Sequence, residues 1–130
     1  MSYNIKISKV EKSRVDSLDF NNIPLGRTFT DHMFICEYEN GEWINPRIEP
    51  LHLLQTHPAT MALHYGQAIF EGMKSTLDIS GNPTLFTPHK NAHRLNVSAS
   101  RIGMPHFPED LFVEALKQLV ALDHHWIPPQ

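Results

Sequence analysis

Cysteine is nearly absent: Cys36 stands alone in 130 residues. That excludes an internal disulfide framework and fits a reducing compartment. Runs of basic residues are absent too, and the net charge is −3 with a pI near 6.3, so nucleic acid is not an expected partner. No apolar stretch approaches the length of a membrane span. The opening residues MSYNIKISKVEKSRVDS lack the apolar centre of a secretory signal. Together these absences lead to the expectation of a cytoplasmic protein with no membrane partner.

Several familiar chemistries are missing as well. Gly66 and Gly72 form neither GxGxxG nor a P-loop, and no GxSxG elbow occurs. Nine histidines invite a metal hypothesis. His89 and His93 would share one helical face, but Lys90 stands where a catalytic HExxH needs glutamate, and zinc needs three or four ligands. The adjacent His124 and His125 cannot easily face one ion. The histidines therefore read as surface groups and no metal site is expected. Glu37, Glu39 and Glu42 fall in one hairpin and read as solvated. Cys36 has no cationic sequence neighbour and reads as an inert, buried thiol.

What remains is ordinary globular material: 41% apolar and 19% charged residues, with ten prolines, several of them at junctions such as Pro24, Pro46, Pro50 and Pro58. One domain is expected. Residues 1–30 read as an irregular arm that packs on something else. In 33–39 the residues alternate, Asn40-Gly41 suits a tight hairpin turn, and 42–48 return as a second strand. Pro46 should end that strand or place it at an edge. Residues 49–64 read as a long ordered connection, the kind that often carries function. Residues 69–77 read as a strand with Ile69, Met73 and Leu77 on one face and Phe70 and Gly72 on the other, and 83–87 as its partner. Gly72 weakens this strand unless something approaches the backbone closely.

Two helices follow. One spans 88–102, with Thr87 as N-cap, Pro88 at the first position, and Ala92, Leu95, Ala99 and Ile102 as its buried stripe. The other runs from about 108 to 123, with Glu109 and Asp110 at the positive end of its dipole and Leu111, Phe112, Ala115, Leu116, Leu119 and Val120 as its apolar face. The tandem prolines near residue 128 read as the start of a linker beginning near residue 124. The architecture is α+β: a small antiparallel sheet covered by two helices.

One polar constellation stands out. Asn91, Arg94, Ser98 and Arg101 share a face of the 88–102 helix, and arginine presents a planar fork suited to phosphate. By composition alone this is a solvated face, and Tyr65, Phe70 and Gly72 are equally compatible with core packing. Read together, though, the HYG of 64–66, FEG of 70–72, LF.P of 85–88, and Asn91 with HRLN of 93–96 and Arg101 resemble the fold-type IV aminotransferases that use pyridoxal phosphate. The upstream TFTDHMF (28–34) and the LDHHWIP segment ending at residue 128 resemble the branched-chain amino-acid aminotransferases in particular.

The resemblance implies the N-terminal small domain of a two-domain enzyme, with the active site between the domains and a homodimer as the usual assembly. The reaction it implies moves an amino group between leucine, isoleucine or valine and 2-oxoglutarate. Arg94 matches the arginine that binds the cofactor phosphate. Tyr65 and Phe70 match walls of the substrate side-chain pocket, with Gly72 keeping its floor open. Leu25 stands where some relatives carry a pocket phenylalanine. The catalytic lysine and the carboxylate that pairs with the pyridine nitrogen belong to the C-terminal domain, so this chain is expected to hold no catalytic residue and to be inactive alone. Lys6, Lys9, Lys12, Lys74, Lys90 and Lys117 do not match the catalytic position. Alternative readings are a stand-alone binding domain, a D-amino-acid transaminase or an aminodeoxychorismate lyase. The FTDHM segment and the N-terminal arm disfavour the last two.

Overall fold

The computed structural model describes residues 3–24 and 26–129. Its centre is a hairpin. Strand β2 (His32–Glu39) turns at Asn40-Gly41 and returns as β3 (Glu42–Pro50). Asn40 and Gly41 both have positive φ, 51° and 90°, the combination a two-residue turn needs to match the twist of its strands. Tyr38 pairs with Trp43 beside the turn, and their rings lie 5.0 Å apart.

Pro46 does not end β3, nor does it put the strand at an edge. The register slips between the Ile35–Arg47 and Glu37–Ile44 pairs, so Cys36 alone faces Asn45 and Pro46. This is a β-bulge, with Asn45 at φ 52°, and it absorbs a residue that cannot donate to the ladder. Just past the proline, β1 (Lys6–Ile7) joins the other side of β3 in parallel, pairing Lys6 with Arg47 and Ile7 with Ile48. The sheet order is β1-β3-β2, a mixed sheet rather than a purely antiparallel one. The expected irregular arm thus contributes a strand to the domain's own sheet, and Ile5 beside it is buried in the core.

The long 49–64 connection contains a short helix, α1 (Met61–Tyr65), closed by Gly66 in the left-handed conformation at φ 62°. The expected 69–77 strand forms a ladder only over β4 (Ser75–Leu77), paired antiparallel with β5 (Pro83–Leu85). Two longer helices follow, α2 (Pro88–Arg101) and α3 (Glu109–Leu122). Pro88 starts α2 as expected, but Thr87 does not cap it. Its φ of 46° leaves the hydroxyl without a capping hydrogen bond, while its carbonyl accepts the Lys90 N–H at 3.0 Å.

The core lies between the three-stranded sheet and α3. Fully buried Ile48 meets Ile5, Leu111 and Ala115, with Phe34, Phe107, Leu119 and Leu122 closing around them. Phe107 sets its edge against Phe34 and Trp43, at 6.2 and 4.8 Å between ring centres. Helix α2 packs on α3 with Ala92 and Ala99 buried. The stripe is narrower than the sequence suggests, because Ile102 is exposed and Asn96 is buried in its place. The Asn96 side chain donates to the Phe107 carbonyl at 2.9 Å and accepts the Phe107 N–H at 2.8 Å, which fixes the α2–α3 connection. No helix among the described residues is long and apolar enough to cross a membrane.

Candidate functional site

The site residues expected from the sequence lie at the end of α1, on the segment after it and on the first half of α2. Gln67 ties that segment to the end of α2 through a 2.9 Å hydrogen bond to the Ile102 carbonyl. Beyond it the backbone has no ladder partner among the described residues up to β4. There, Phe70 is 88% exposed and its ring lies over Gly72. A Cβ at Gly72 would meet two Phe70 ring carbons at 3.3 Å. The glycine therefore sets how closely the ring approaches the backbone.

Between those two residues sits Glu71, whose side chain is only 6% exposed. It binds Arg94 side-on. Nε of Arg94 donates to one carboxylate oxygen at 2.8 Å and Nη2 to the other. Asn91, one turn earlier on α2, donates to Glu71 at 2.8 Å and to the Gly72 carbonyl at 3.2 Å. The Gly72 N–H adds a fourth donor to the carboxylate, at 3.2 Å. Arg94 and its neighbouring donors hold the Glu71 carboxyl down at about 2, despite the opposing effect of burial. In turn Glu71 pushes the Arg94 guanidinium up. So Glu71 is a carboxylate throughout the physiological range.

Arg94 itself remains 66% exposed. Its Nε and Nη2 edge is occupied by Glu71, while its Nη1 donors have no protein partner among the described residues. The structure thus brings Phe70, Gly72 and Arg94 into one cluster, joined by Glu71 and Asn91. Tyr65 lies on the same connection, 78% exposed at the end of α1. No hydrogen bond or ring contact joins it to that cluster. Leu25 lies outside the described residues.

Glu71 is the main residue of this cluster that sequence reading missed. Its only signal was its place inside FEG, because its partner stands 23 residues away. A second cluster was also missed. Asp31 and His32, at the start of β2, gather both ends of the domain. Asp31 accepts from Ser13 Oγ (2.5 Å), Trp126 Nε1 (2.9 Å), and the backbone N–H and Nε of Arg14 (3.1 and 3.2 Å). His32 is buried, not a surface group. Asp123 accepts its backbone N–H at 3.0 Å and lies 2.6 Å from its Nδ1, while Nε2 accepts the Val10 N–H at 3.0 Å. Because Nε2 accepts, the proton sits on Nδ1, facing Asp123. Both faces of the ring are thus spent on structure.

The other polar candidates resolve simply. Among the described residues no group of three or more His, Cys, Asp or Glu side chains could hold a metal ion. Glu37 is not merely solvated: Arg47 Nη1 donates to both of its oxygens, at 2.6 and 2.8 Å. Cys36 is half-buried and its thiol is pushed up by burial and by Glu37, against the pull of Arg47. That is the opposite of an activated nucleophile.

No family model matches the chain. Individual relatives do. The chain is 42% identical over 125 residues to branched-chain-amino-acid aminotransferase 2 of Bacillus subtilis (strain 168), covering 95% of this chain and 34% of that protein. It is 44% identical over 108 residues to a probable branched-chain-amino-acid aminotransferase of Streptomyces coelicolor, covering 82% and 30%. It is 36% identical over 130 residues to the mitochondrial branched-chain-amino-acid aminotransferase of Schizosaccharomyces pombe, covering 99% and 30%. The chain spans about a third of the length of these relatives. An α+β domain that aligns along nearly its whole length with such proteins, in organisms this diverse, belongs to the branched-chain aminotransferase family and matches its N-terminal domain.

Proposed function

We propose that this chain is the N-terminal domain of a pyridoxal-phosphate-dependent transaminase that moves the amino group between leucine, isoleucine or valine and 2-oxoglutarate. The alignment to several branched-chain aminotransferases along nearly the full chain carries this reading. The site fits it. A phosphate dianion needs a bidentate cation, and Arg94 has an exposed guanidinium with its Nη1 end uncommitted. Phe70 and Tyr65 supply exposed aromatic surface, which suits aliphatic side chains through apolar burial. Gly72 lets the Phe70 ring lie close to the backbone.

When bound, the cofactor would act as the electron sink of the reaction. The residues of this chain bind and orient: Arg94 takes the phosphate, and Tyr65, Phe70 and Gly72 shape the side-chain pocket. The lysine that shuttles the proton and the carboxylate facing the pyridine nitrogen come from a second domain, so the 130-residue chain alone is inactive. The working enzyme is a cytoplasmic homodimer.

The number of exposed large apolar side chains between residues 51 and 86 supports a partner body against this part of the chain. Leu53 is 94% exposed, and Leu54, Leu63, Phe70, Ile79 and Phe86 are exposed with it. Such exposure is uncommon on a surface meant to face water.

The test is chemical trapping. The chain is mixed with pyridoxal phosphate, reduced with borohydride, and weighed intact. Absence of a stoichiometric adduct at any single site is expected. A single adduct on one lysine would place covalent cofactor attachment in this domain and overturn the division of labour.

A further inference from the structure

An arginine on an exposed helix face ordinarily samples many rotamers, and a site that binds a phosphate must restrict them. Arg94 is held at one edge only. Five N–H donors are available on a guanidinium. Glu71 takes the Nε donor and one Nη2 donor, leaving the Nη1 end directed away from the carboxylate. Glu71 is itself fixed from two directions: by the Gly72 N–H on its own segment and by Asn91 on α2. Asn91 also holds the Gly72 carbonyl, so the FEG segment and the helix are locked around one carboxylate.

This arrangement has an electrostatic cost. A carboxylate beside a phosphate site repels the phosphate and offsets part of the arginine's charge. If Glu71 served only to neutralise Arg94 or to fasten the fold, removing its charge would improve anion binding.

We propose that Glu71 is the positioning residue of the phosphate site: it grips the Nε and Nη2 edge of Arg94 so that the Nη1 end is presented to a phosphate monoester. The proposal rests on the reading of Arg94 as the phosphate ligand. It assigns Glu71 no contact with the phosphate, and its effect acts entirely through the guanidinium.

The opposing electrostatic sign makes the test decisive. In the 15N-labelled 130-residue chain, the Arg94 Nε–H signal is followed by NMR while inorganic phosphate is added. In the native chain the signal is protected from exchange and shifts saturably with phosphate. In Glu71→Gln the protection is lost and phosphate affinity falls about tenfold, the loss expected when one charge-assisted hydrogen bond is no longer prearranged. Glu71→Asp keeps the charge with a shorter reach and recovers part of both. The backbone amide signals of α2 report whether either variant still folds, and Glu71→Asp supplies the answer if Glu71→Gln does not. Equal or tighter phosphate binding in Glu71→Gln overturns the positioning role. Arg94→Ala separates the two levels of argument. If it abolishes the phosphate response while Glu71→Gln leaves it intact, Arg94 stands and Glu71 falls. If the native chain and Arg94→Ala respond alike, the Arg94 reading fails and takes this proposal with it.

Discussion

Replacing Asp31 with alanine tests whether the two ends of the domain are fastened at one carboxylate. Asp31 is 4% exposed and accepts four hydrogen bonds. Two donors matter most, the Ser13 hydroxyl at 2.5 Å and the Trp126 indole N–H at 2.9 Å, because both are half-buried. A hydrogen bond to a charged group contributes about 1.5 kcal/mol or somewhat more. The Arg14 guanidinium is largely exposed and regains water when the carboxylate goes, so it adds little. The expected loss is about 3 kcal/mol, a large share of the roughly 5–15 kcal/mol that holds a domain of this kind together.

The acid limb of stability supplies an independent estimate. Burial pushes the Asp31 carboxyl up, but Ser13, Trp126 and Arg14 together hold it at about 2, against 3.8 ordinarily. A folded value below the unfolded one means the contribution is fully present above about pH 4. It is lost as pH falls toward 2 and corresponds to about 2 kcal/mol. Urea unfolding of Asp31→Ala at pH 7 and at pH 3 therefore has two expected results: a loss of about 3 kcal/mol at neutral pH, and a smaller difference from the native chain at pH 3. A loss under about 1 kcal/mol at pH 7, or a difference that does not shrink in acid, would refute the fastening role.

Three further outcomes are expected. Ile48→Ala, at the one large side chain with no exposure among the described residues, should cost about 3 kcal/mol in urea unfolding through lost burial and a cavity between sheet and helix. Cys36 should react with iodoacetamide at pH 8 more slowly in the folded chain than in urea, since burial and Glu37 push its thiol up. In a complete transaminase, Phe70→Ala should reduce leucine turnover more than glutamate turnover, measured as kcat/KM for each. Equal losses would point to misfolding rather than to a pocket wall.

What was legible in the sequence was local. Asn40-Gly41 announced its turn because a two-residue hairpin needs positive φ at both positions. Pro88 announced the start of α2 because its missing N–H is not needed there. What was not legible depended on distant partners. Pro46 argues against a central strand until the bulge at Asn45 is known, and β1 is only two residues long, recognisable solely by what it pairs with. The alternation in 69–74 is real, yet those residues find no second strand. Their order comes instead from Glu71, Asn91 and Arg94, which no periodicity measures. Thr87 has the right side chain for a cap and the wrong backbone for one.

The same distinction separates the two polar clusters. Asp31 is engaged by Trp126, Ser13 and Arg14, and His32 by Asp123 and Val10, so their partners come from both ends of the described chain. Such a cluster specifies a fold, and nothing in it remains to be offered to a ligand. The Glu71–Arg94 cluster is built differently. Its carboxylate is buried and fully engaged, while its guanidinium is exposed and committed at one edge only. Beside it, Phe70 presents a ring that its own domain does not cover. A domain whose described buried polar side chains are all hydrogen-bonded, yet which leaves the cation paired with Glu71 and the ring preceding Glu71 exposed, keeps unmet interactions for an anionic group and for an apolar group. Phosphate and a branched aliphatic side chain are the pair proposed above, and the roles proposed for Arg94 and Phe70 stand or fall by separate experiments.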